Sequence, residues 1–243
     1  MFSVFKKEVH AFFSSLIGYL AIGCFLVVLS LFLWVFPAYN VMNFGYATLD
    51  SLFSISPMIL MVLIPAITMR SFAEESKEGT IELLATRPLS DMDIIMGKYL
   101  AALFLVFFAI LPTLVYYYSV YSLGTPVGNI DNGATIGSYI GLMLLGAAFV
   151  SIGIFVSAIT NDQIVSFLIA LALGALFYLG FYYMSSLPIF FGKSDEFVAS
   201  LGMSYHFDAL GRGLIDSRDV LYFVSIIVAF LLLTKTALER RKW

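Results

Sequence analysis

Residues 70–98 read RSFAEESKEGTIELLATRPLSDMDIIMGK and lie between two long apolar runs. This polar segment holds four of the 13 Lys and Arg residues and six of the 16 Asp and Glu residues. Burying so many charges in lipid is strongly unfavourable, so the polar segment must face water or a protein partner. The apolar runs on either side therefore predict two membrane spans that are joined by a loop outside the bilayer.

The composition of the chain predicts a membrane protein. Of the 243 residues, 61% are hydrophobic and only 12% are charged, whereas an average soluble domain has about 25% charged residues. At about 20 apolar residues per crossing, the length accommodates about six helices and no sizeable soluble domain. The sequence predicts an all-α polytopic membrane protein, a single domain over residues 1–243 with six spans, at about 16–36, 51–69, 99–121, 135–159, 164–185 and 220–238.

The positions of Lys and Arg beside the spans predict the orientation. Ten of them fall near the two termini and in the polar segment, whereas the loops on the other side carry only Lys193, Arg212 and Arg218. Cytoplasmic loops carry the excess of Lys and Arg, so both termini and the polar segment are predicted to be cytoplasmic. The longest segment on the opposite side is then the outer segment, residues 186–219.

Within the polar segment, the residue types predict a helix, a turn and the start of a second helix. Residues 71–85 are mostly good helix formers, but Gly79 weakens this helix, so Thr80 is an alternative start for a second short turn. The helix should end before Pro88, because the residue that precedes a proline disfavours the helical conformation. Ser90 and Asp93 have the spacing of a capping box, which predicts that the third span begins as a helix before it enters the membrane.

Three glutamates of the polar segment, Glu74, Glu78 and Glu82, recur every four residues. Like charges at this spacing destabilise an isolated helix by about 0.2–0.5 kcal/mol per pair. Either they form a solvated acidic face, partly offset by Arg70 and Lys77, or basic groups of a partner protein neutralise them.

Residues 1–14 have the pattern of an amphipathic helix that lies along the inner membrane surface. A cytoplasmic extension of the first span is the alternative. The apolar face consists of Phe2, Phe5, Val9, Phe12 and Phe13, and the polar face of Lys6, Lys7, Glu8 and His10.

Motifs for enzymatic chemistry are absent from the sequence. It contains no GxxxxGK[ST] phosphate loop, no HExxH and no GxSxG, and its only histidines are His10 and His206. A net charge of -3 does not favour a nucleic-acid partner. No charged residue falls in the middle of a predicted span, which argues against an ion-coupled carrier. The sequence thus predicts neither an enzyme nor a metal site.

Small residues at a spacing of four predict close contact between helices. They occur as Gly137 and Gly141, as Gly153 and Ser157, and as Ala170 and Gly174, within the predicted fourth and fifth spans. Such patterns are common inside helical bundles, and a dimer interface is the other interpretation.

The polar segment resembles the loop between the second and third spans of ABC-2 permeases, a class of ABC transporter membrane subunits. The matching residues are Arg70, Phe72, Ala73, Glu74, Glu75, Gly79, Thr80, Glu82, Leu83, Leu84, Thr86, Pro88, Leu89, Ser90, Gly97 and Lys98. The resemblance extends to the turn SAITNDQ at 157–163 and to FDALGRGLIDSRD at 207–219. Within the family, the chain is similar to the gliding-motility permease subunits of Bacteroidetes.

The resemblance implies a non-catalytic permease that transmits the motion of a separate cytoplasmic ATPase through its N-terminal helix and its polar segment. That ATPase would bind ATP and Mg, and this chain is expected to hold no cofactor. The family also implies a second permease subunit in a homodimer or heterodimer, a larger gliding-motility membrane subunit, and a location in the bacterial inner membrane. The residues that the family pattern places at the ATPase-coupling surface are Arg70, Phe72, Glu74, Glu75, Gly79, Thr80, Glu82, Leu83 and Pro88.

Two functions of different classes are compatible with these features. The first is a permease subunit of an ATP-driven exporter. The second is a membrane scaffold or stator of a motility or secretion machine, through which no substrate passes. Stimulation of ATP hydrolysis by a substrate distinguishes the two. The sequence names no substrate.

Overall fold

A computed structural model describes residues 1–43, 45–79, 90–188 and 195–241, and these residues form helices and connecting turns without a β-strand. The all-α class predicted from the sequence is confirmed. In chain order, the α-helices are α1 (Phe2–Ser14), α2 (Leu16–Trp34), α3 (Asp50–Thr68), α4 (Ala73–Lys77), α5 (Asp91–Ile110), α6 (Leu114–Leu123), α7 (Asn132–Ile159), α8 (Gln163–Ala175), α9 (Phe181–Ser185), α10 (Asp195–Ala199), α11 (Met203–Leu210) and α12 (Ser217–Arg241).

The helices that are long and apolar enough to cross a membrane agree with the predicted spans. Five such stretches occur in the described residues, and a sixth is formed if α1 and α2 are taken together. The five are Asp50–Lys77, Asp91–Leu123, Asn132–Ile159, Gln163–Ser185 and Ser217–Arg240. The chain is therefore a multi-pass membrane protein.

A bend of 67° separates α1 from α2, where the sequence predicts the change from a surface helix to the first span. Ser15 has an extended backbone, with φ -98° and ψ 146°, and its hydroxyl donates a hydrogen bond to the carbonyl of Phe12 at 3.0 Å. A Cβ added at Gly18 would lie 2.6 Å from the same carbonyl oxygen. Only a glycine fits there, so the bend depends on this close approach of the backbone.

Helix α7 lies at the centre of the bundle. In its most apolar stretch 78% of the residues are buried, against 22% for the Gln163–Ser185 stretch and 17% for α12. It packs against α3, α5, α8, α11 and α12. The bundle is thus built around α7, whereas α12 and the α8–α9 stretch leave most of their surface for lipid or another subunit.

The small residues make their close contacts within the chain. A Cβ at Gly153 would lie 2.0 Å from Thr68 Oγ1 of α3, and Gly174 faces Phe149 across the α7–α8 contact. A Cβ at Gly137 would lie 2.2 Å from the carbonyl oxygen of Leu210 in α11. The prediction of helix–helix contact is confirmed for these positions, and the contacts lie inside this subunit.

Two spans deviate from regular α-helix. The third is interrupted by a 3-10 turn at Leu111–Thr113, where Pro112 removes a backbone donor, and it resumes as α6. The fifth contains a π-helical turn at Leu176–Gly180. By contrast, α3 runs without interruption through Pro57 and Pro65.

Candidate coupling site

Four parts of the chain that are distant in sequence meet at one end of α7. They are α1, residues 69–79 with α4, the first turns of α5, and the turn at residues 160–162. With six spans, the sequence predicts that all four lie on the same side of the membrane, since the turn at residues 160–162 joins the fourth span to the fifth. The structure confirms that they lie together, at what is called here the Lys98 end.

The start of α5 is fixed by its own sequence. Ser90 Oγ accepts a hydrogen bond from the amide of Asp93 at 3.1 Å, and the Asp93 side chain accepts one from the amide of Ser90 at 3.4 Å. This is the predicted capping box. The amino group of Met1 lies 3.6 Å from Asp93 Oδ1, which brings the beginning of α1 to the same cap.

Lys98 is the centre of the site. Its side chain is only 2% exposed, and its Nζ lies 3.0 Å from Glu8 Oε1 of α1 and 3.0 Å from Glu75 Oε1 of α4. It also donates a hydrogen bond to the carbonyl of Ser71 and lies 4.9 Å from the centroid of the Phe72 ring. One buried ammonium on α5 therefore holds α1 and the 71–75 region against the third span.

The two carboxylates that pair with Lys98 are shielded as well. Glu8 is 15% exposed and Glu75 is 14% exposed, and Lys7 approaches Glu75 Oε1 at 3.3 Å from the water side. A buried cation that makes two ion pairs and one hydrogen bond is well compensated, whereas removing it leaves two like charges side by side. The cluster therefore acts as a unit rather than as separate surface ion pairs.

Close packing keeps α1 against α5 beside this cluster. Val4 is buried, and a Cβ at Gly97 would lie 2.8 Å from the Val4 Cβ. The Phe5 ring meets the Phe104 ring edge-on, with 5.9 Å between the centroids. Phe5 belongs to the apolar face predicted for residues 1–14, whereas Val4, the buried residue of this contact, was not assigned to that face.

Ser157, near the end of α7, holds the chain where α3 gives way to α4. Its Oγ accepts hydrogen bonds from the amides of Phe72 at 2.9 Å and Ala73 at 3.0 Å, and donates one to the carbonyl of Met69 at 3.1 Å. A hydroxyl has one donor and two acceptor positions, so all of them are in use. This side chain joins the central helix directly to the beginning of α4.

The turn at residues 160–162 holds α4 from the other side. Ser76 Oγ donates to Asn161 Oδ1 at 2.8 Å, and Lys77 Nζ lies 3.6 Å from Asp162 Oδ2 in an exposed ion pair. The amides of Ile164 and Val165 donate to the Asp162 carboxylate, and these hydrogen bonds, together with Lys77, lower the pKa of Asp162. The charged carboxylate is therefore the form that caps α8.

Of the nine residues that the resemblance assigned to coupling, the structure describes five. Among the described ones, Phe72 is buried, Glu74 and Arg70 are half-buried, and Glu75 pairs with Lys98. Gly79 has φ 68°, in the left-handed region, and α4 ends at Lys77 just before it. The described part of the predicted 71–85 helix is thus one short helix. Thr80, Glu82, Leu83 and Pro88 lie outside the described residues.

The site also contains residues that the sequence analysis did not single out. Lys98 was noted only as the last residue of the family pattern, and Glu8 only as part of a polar helix face. Ser157 was noted only as a small residue and as the first residue of the SAITNDQ turn. No spacing rule connects residues 8, 75 and 98, because their proximity depends on how three segments pack. One signal could have found Lys98: it lies about two turns inside α5, where a long apolar stretch begins and a charged side chain needs a partner.

Replacing Ser157 with alanine is expected to lower the free energy of unfolding by about 1–2 kcal/mol, because the amides of Phe72 and Ala73 lose their acceptor in a buried place. Hydrogen exchange at residues 70–77 should rise more than elsewhere. Ser225→Ala is the matched control, because the Ser225 hydroxyl bonds only to the carbonyl of Tyr222 in its own exposed helix face. Equal effects of the two variants would contradict the role assigned to Ser157.

The described residues contain no group of three or more His, Cys, Asp or Glu side chains that could hold a metal ion. The contacts at the Lys98 end join the short helix α4 to α5 through Lys98, to α7 through Ser157 and to the turn at residues 160–162.

The family model described as "ABC-2 family transporter protein" matches residues 6–243, which is almost the whole chain. No curated protein matches the chain.

Proposed function

The chain belongs to the ABC-2 family of transporter proteins, and on this basis we propose that it is the non-catalytic permease subunit of an ATP-driven exporter, moved by a separate cytoplasmic ATPase that docks at the Lys98 end. ATP and Mg would be bound by that ATPase. The observation that carries the proposal is the buried Lys98 bridge to Glu8 and Glu75.

The Lys98 end has the mechanical properties that such a coupling requires. A partner that pushes on α4 meets a helix tied to α5 through Glu75 and Lys98 and to α7 through Ser157. It is also tied to the 160–162 turn through Ser76. Displacement of α4 must therefore displace the ends of three spans together. The free energy for the change comes from the difference in the partner's affinity for the two conformations.

The exposed part of α4 offers the surface for docking. Glu78 and Lys77 are exposed and Glu74 is half-buried, whereas Glu75 is turned towards Lys98. Glu74 and Glu78 therefore carry the negative charge that a basic partner surface would meet. In this proposal Glu75 acts inside the subunit, as part of the connection to α5.

The finer assignment rests on the resemblance of the polar segment and on the distribution of Lys and Arg. We propose that the chain is a gliding-motility permease subunit similar to GldF of Bacteroidetes. Its partners would be a second permease subunit and a larger gliding-motility membrane subunit, in the bacterial inner membrane with both termini in the cytoplasm.

Purification from the native membrane in mild detergent tests the docking. We expect a protein with an ATP-binding loop to copurify with the wild type. Glu78→Arg combined with Glu74→Arg should reduce its recovery at least about tenfold, because like charges across an interface are strongly unfavourable. Glu196→Arg is the matched control, since Glu196 is an exposed glutamate of α10 in the outer segment. Equal recovery with all variants would contradict docking at α4.

The scaffold alternative is tested with the same complex. In a transporter, ATP hydrolysis by the reconstituted complex should rise when the cargo is added. A complex that assembles normally and hydrolyses ATP, yet responds to no amphipathic or lipid-linked candidate cargo, would support a scaffold. Transport that persists without any ATPase subunit would contradict both and indicate an ion-coupled carrier.

A further inference from the structure

A second buried ionisable group lies at the opposite end of α7, in the outer segment. His206 belongs to α11, which packs against α7 and α12. The side chain of His206 is 12% exposed and that of its partner Asp219, in the first turn of α12, is 10% exposed. Neither residue takes part in the Lys98 end, and the inference does not depend on the proposed function.

Both ring nitrogens of His206 face hydrogen-bond acceptors. Nδ1 lies 2.7 Å from Asp219 Oδ1, and Nε2 lies 2.8 Å from the carbonyl oxygen of Ser200, which follows α10. The ring is stacked on Tyr222 of α12, with 3.9 Å between the centroids. The Tyr222 hydroxyl in turn donates to the carbonyl of Leu201 at 2.6 Å. His206 therefore joins the end of α10, α11 and the start of α12.

The geometry selects one protonation state. A carbonyl oxygen cannot donate a hydrogen bond, and neither can an ionised carboxylate. A neutral imidazole has one N–H and satisfies only one of these acceptors, whereas the imidazolium has two and satisfies both.

The other groups around His206 are two aromatic rings and several charged residues. The rings that face His206 are those of Tyr222 and, edge-on at 5.4 Å between centroids, Tyr205. Helix α7 contributes no Asp, Glu, Lys, Arg or His. The charged residues nearby lie on α10, on α11 and beside α12. The charge of Asp208 on α11 interacts with the charge of Arg212 and acts on the hydroxyl of Tyr178 in the π-helical turn. Glu196 of α10 and Asp216 and Arg218 beside α12 are exposed, and Asp195 of α10 is half-buried.

We propose that the His206–Asp219 pair is a pH-sensitive latch that holds the outer segment closed on α12. The latch is at full strength when His206 is protonated, at low pH. As the pH rises and the proton leaves, one of the two hydrogen bonds is lost, and the contact of residues 200–206 with α12 weakens. Histidine is the side chain that changes charge between roughly pH 5 and 8, so the latch would respond within that range.

The protonation state is measured on the purified protein in lipid nanodiscs with nitrogen-15 labelled histidine. The chain has only two histidines, and His10→Gln identifies the signals of His206. We expect both ring nitrogens of His206 to carry protons at about pH 6 and one of them to be bare at about pH 8. A His206 ring with one bare nitrogen at the lower pH, or with two protonated nitrogens at the higher pH, would overturn the proposal, and this measurement needs no variant of His206 to fold.

The latch itself is measured by hydrogen exchange at residues 203–210. Between about pH 6 and pH 8, after correction for the intrinsic rate, exchange in the wild type should become about tenfold faster, the effect of one lost hydrogen bond to a charged group. His10→Gln should keep this dependence, and His206→Gln should lose it, with fast exchange at both pH values. A wild type without the dependence, or a His206→Gln protein that retains it, would overturn the proposal.

Discussion

Replacing Lys98 with methionine is expected to lower the free energy of unfolding by about 3–5 kcal/mol, the largest effect of any single charge removal at this site. Methionine preserves much of the volume of the buried stem but leaves Glu8 and Glu75 side by side, with only the exposed Lys7 as a cation beside them. Either a carboxylate is then protonated, or α1 and α4 separate from α5. Unfolding of the detergent-solubilised protein by denaturant measures the loss, and ATPase copurification should fall with it.

Two companion variants separate this effect from ordinary loss of a lysine. Lys235→Met removes an exposed lysine, 44% accessible, whose ion pair with Glu239 at 3.7 Å is of the surface kind, so its effect should stay within about 0.5 kcal/mol. Adding Glu8→Gln and Glu75→Gln to Lys98→Met should restore part of the lost stability, because no uncompensated charge remains. If Lys98→Met behaves like Lys235→Met, the cluster does not hold the segments together.

The second large effect is expected from leucine at Gly153. A Cβ at this position already lies 2.0 Å from Thr68 Oγ1, and Thr68 is fully buried, so α3 and α7 must move apart to admit a side chain. We expect a loss of about 3 kcal/mol in the free energy of unfolding. Thr68 is next to Met69, whose carbonyl receives the Ser157 hydrogen bond, so hydrogen exchange in residues 70–77 should also rise.

The matched control is leucine at Gly23 of α2. A Cβ there has no neighbour within 4 Å, and leucine is a better helix former than glycine. Gly23→Leu should therefore be neutral or stabilising by up to about 1 kcal/mol. Thr68→Ala should relieve part of the Gly153→Leu defect by removing the clashing oxygen. A Gly153→Leu protein as stable as the wild type would show that α3 and α7 are not held at this distance.

Local sequence signals were sufficient to locate the membrane spans, but they did not predict α10 and α11 in the outer segment. The apolar runs located the spans because crossing a bilayer sets a minimum length, and the Ser90–Asp93 spacing located the start of α5 because the capping box is a local structure. The interruption at Leu111–Thr113 was missed although Pro112 marks it. The π-helical turn at Leu176–Gly180 has no sequence signature of this kind.

The candidate site was less accessible to such reasoning. The family pattern directed attention to Glu75, yet its partners Lys98 and Lys7 follow only from the packing of α1 and α5 against α4. The same holds for Ser157, which a spacing rule classifies as a small residue and the structure uses for three hydrogen bonds. Local patterns report secondary structure, whereas contacts between distant segments depend on the whole bundle. The coupling roles of Arg70, Phe72, Glu74, Glu75 and Gly79 remain predictions.

The single helix α7 has a consequence for the relation between the two ends of the molecule. At about 1.5 Å per residue its 28 residues extend over about 42 Å. Ser157 contacts α4 near one terminus, and Gly137 contacts α11 near the other. A displacement of α7 would couple these two contacts. Thermodynamic linkage is reciprocal: if a protein bound to α4 changes the stability of the α11 contact, the α11 contact changes the affinity of that protein by the same factor. The dissociation constant of that protein would then depend on conditions at the distant surface.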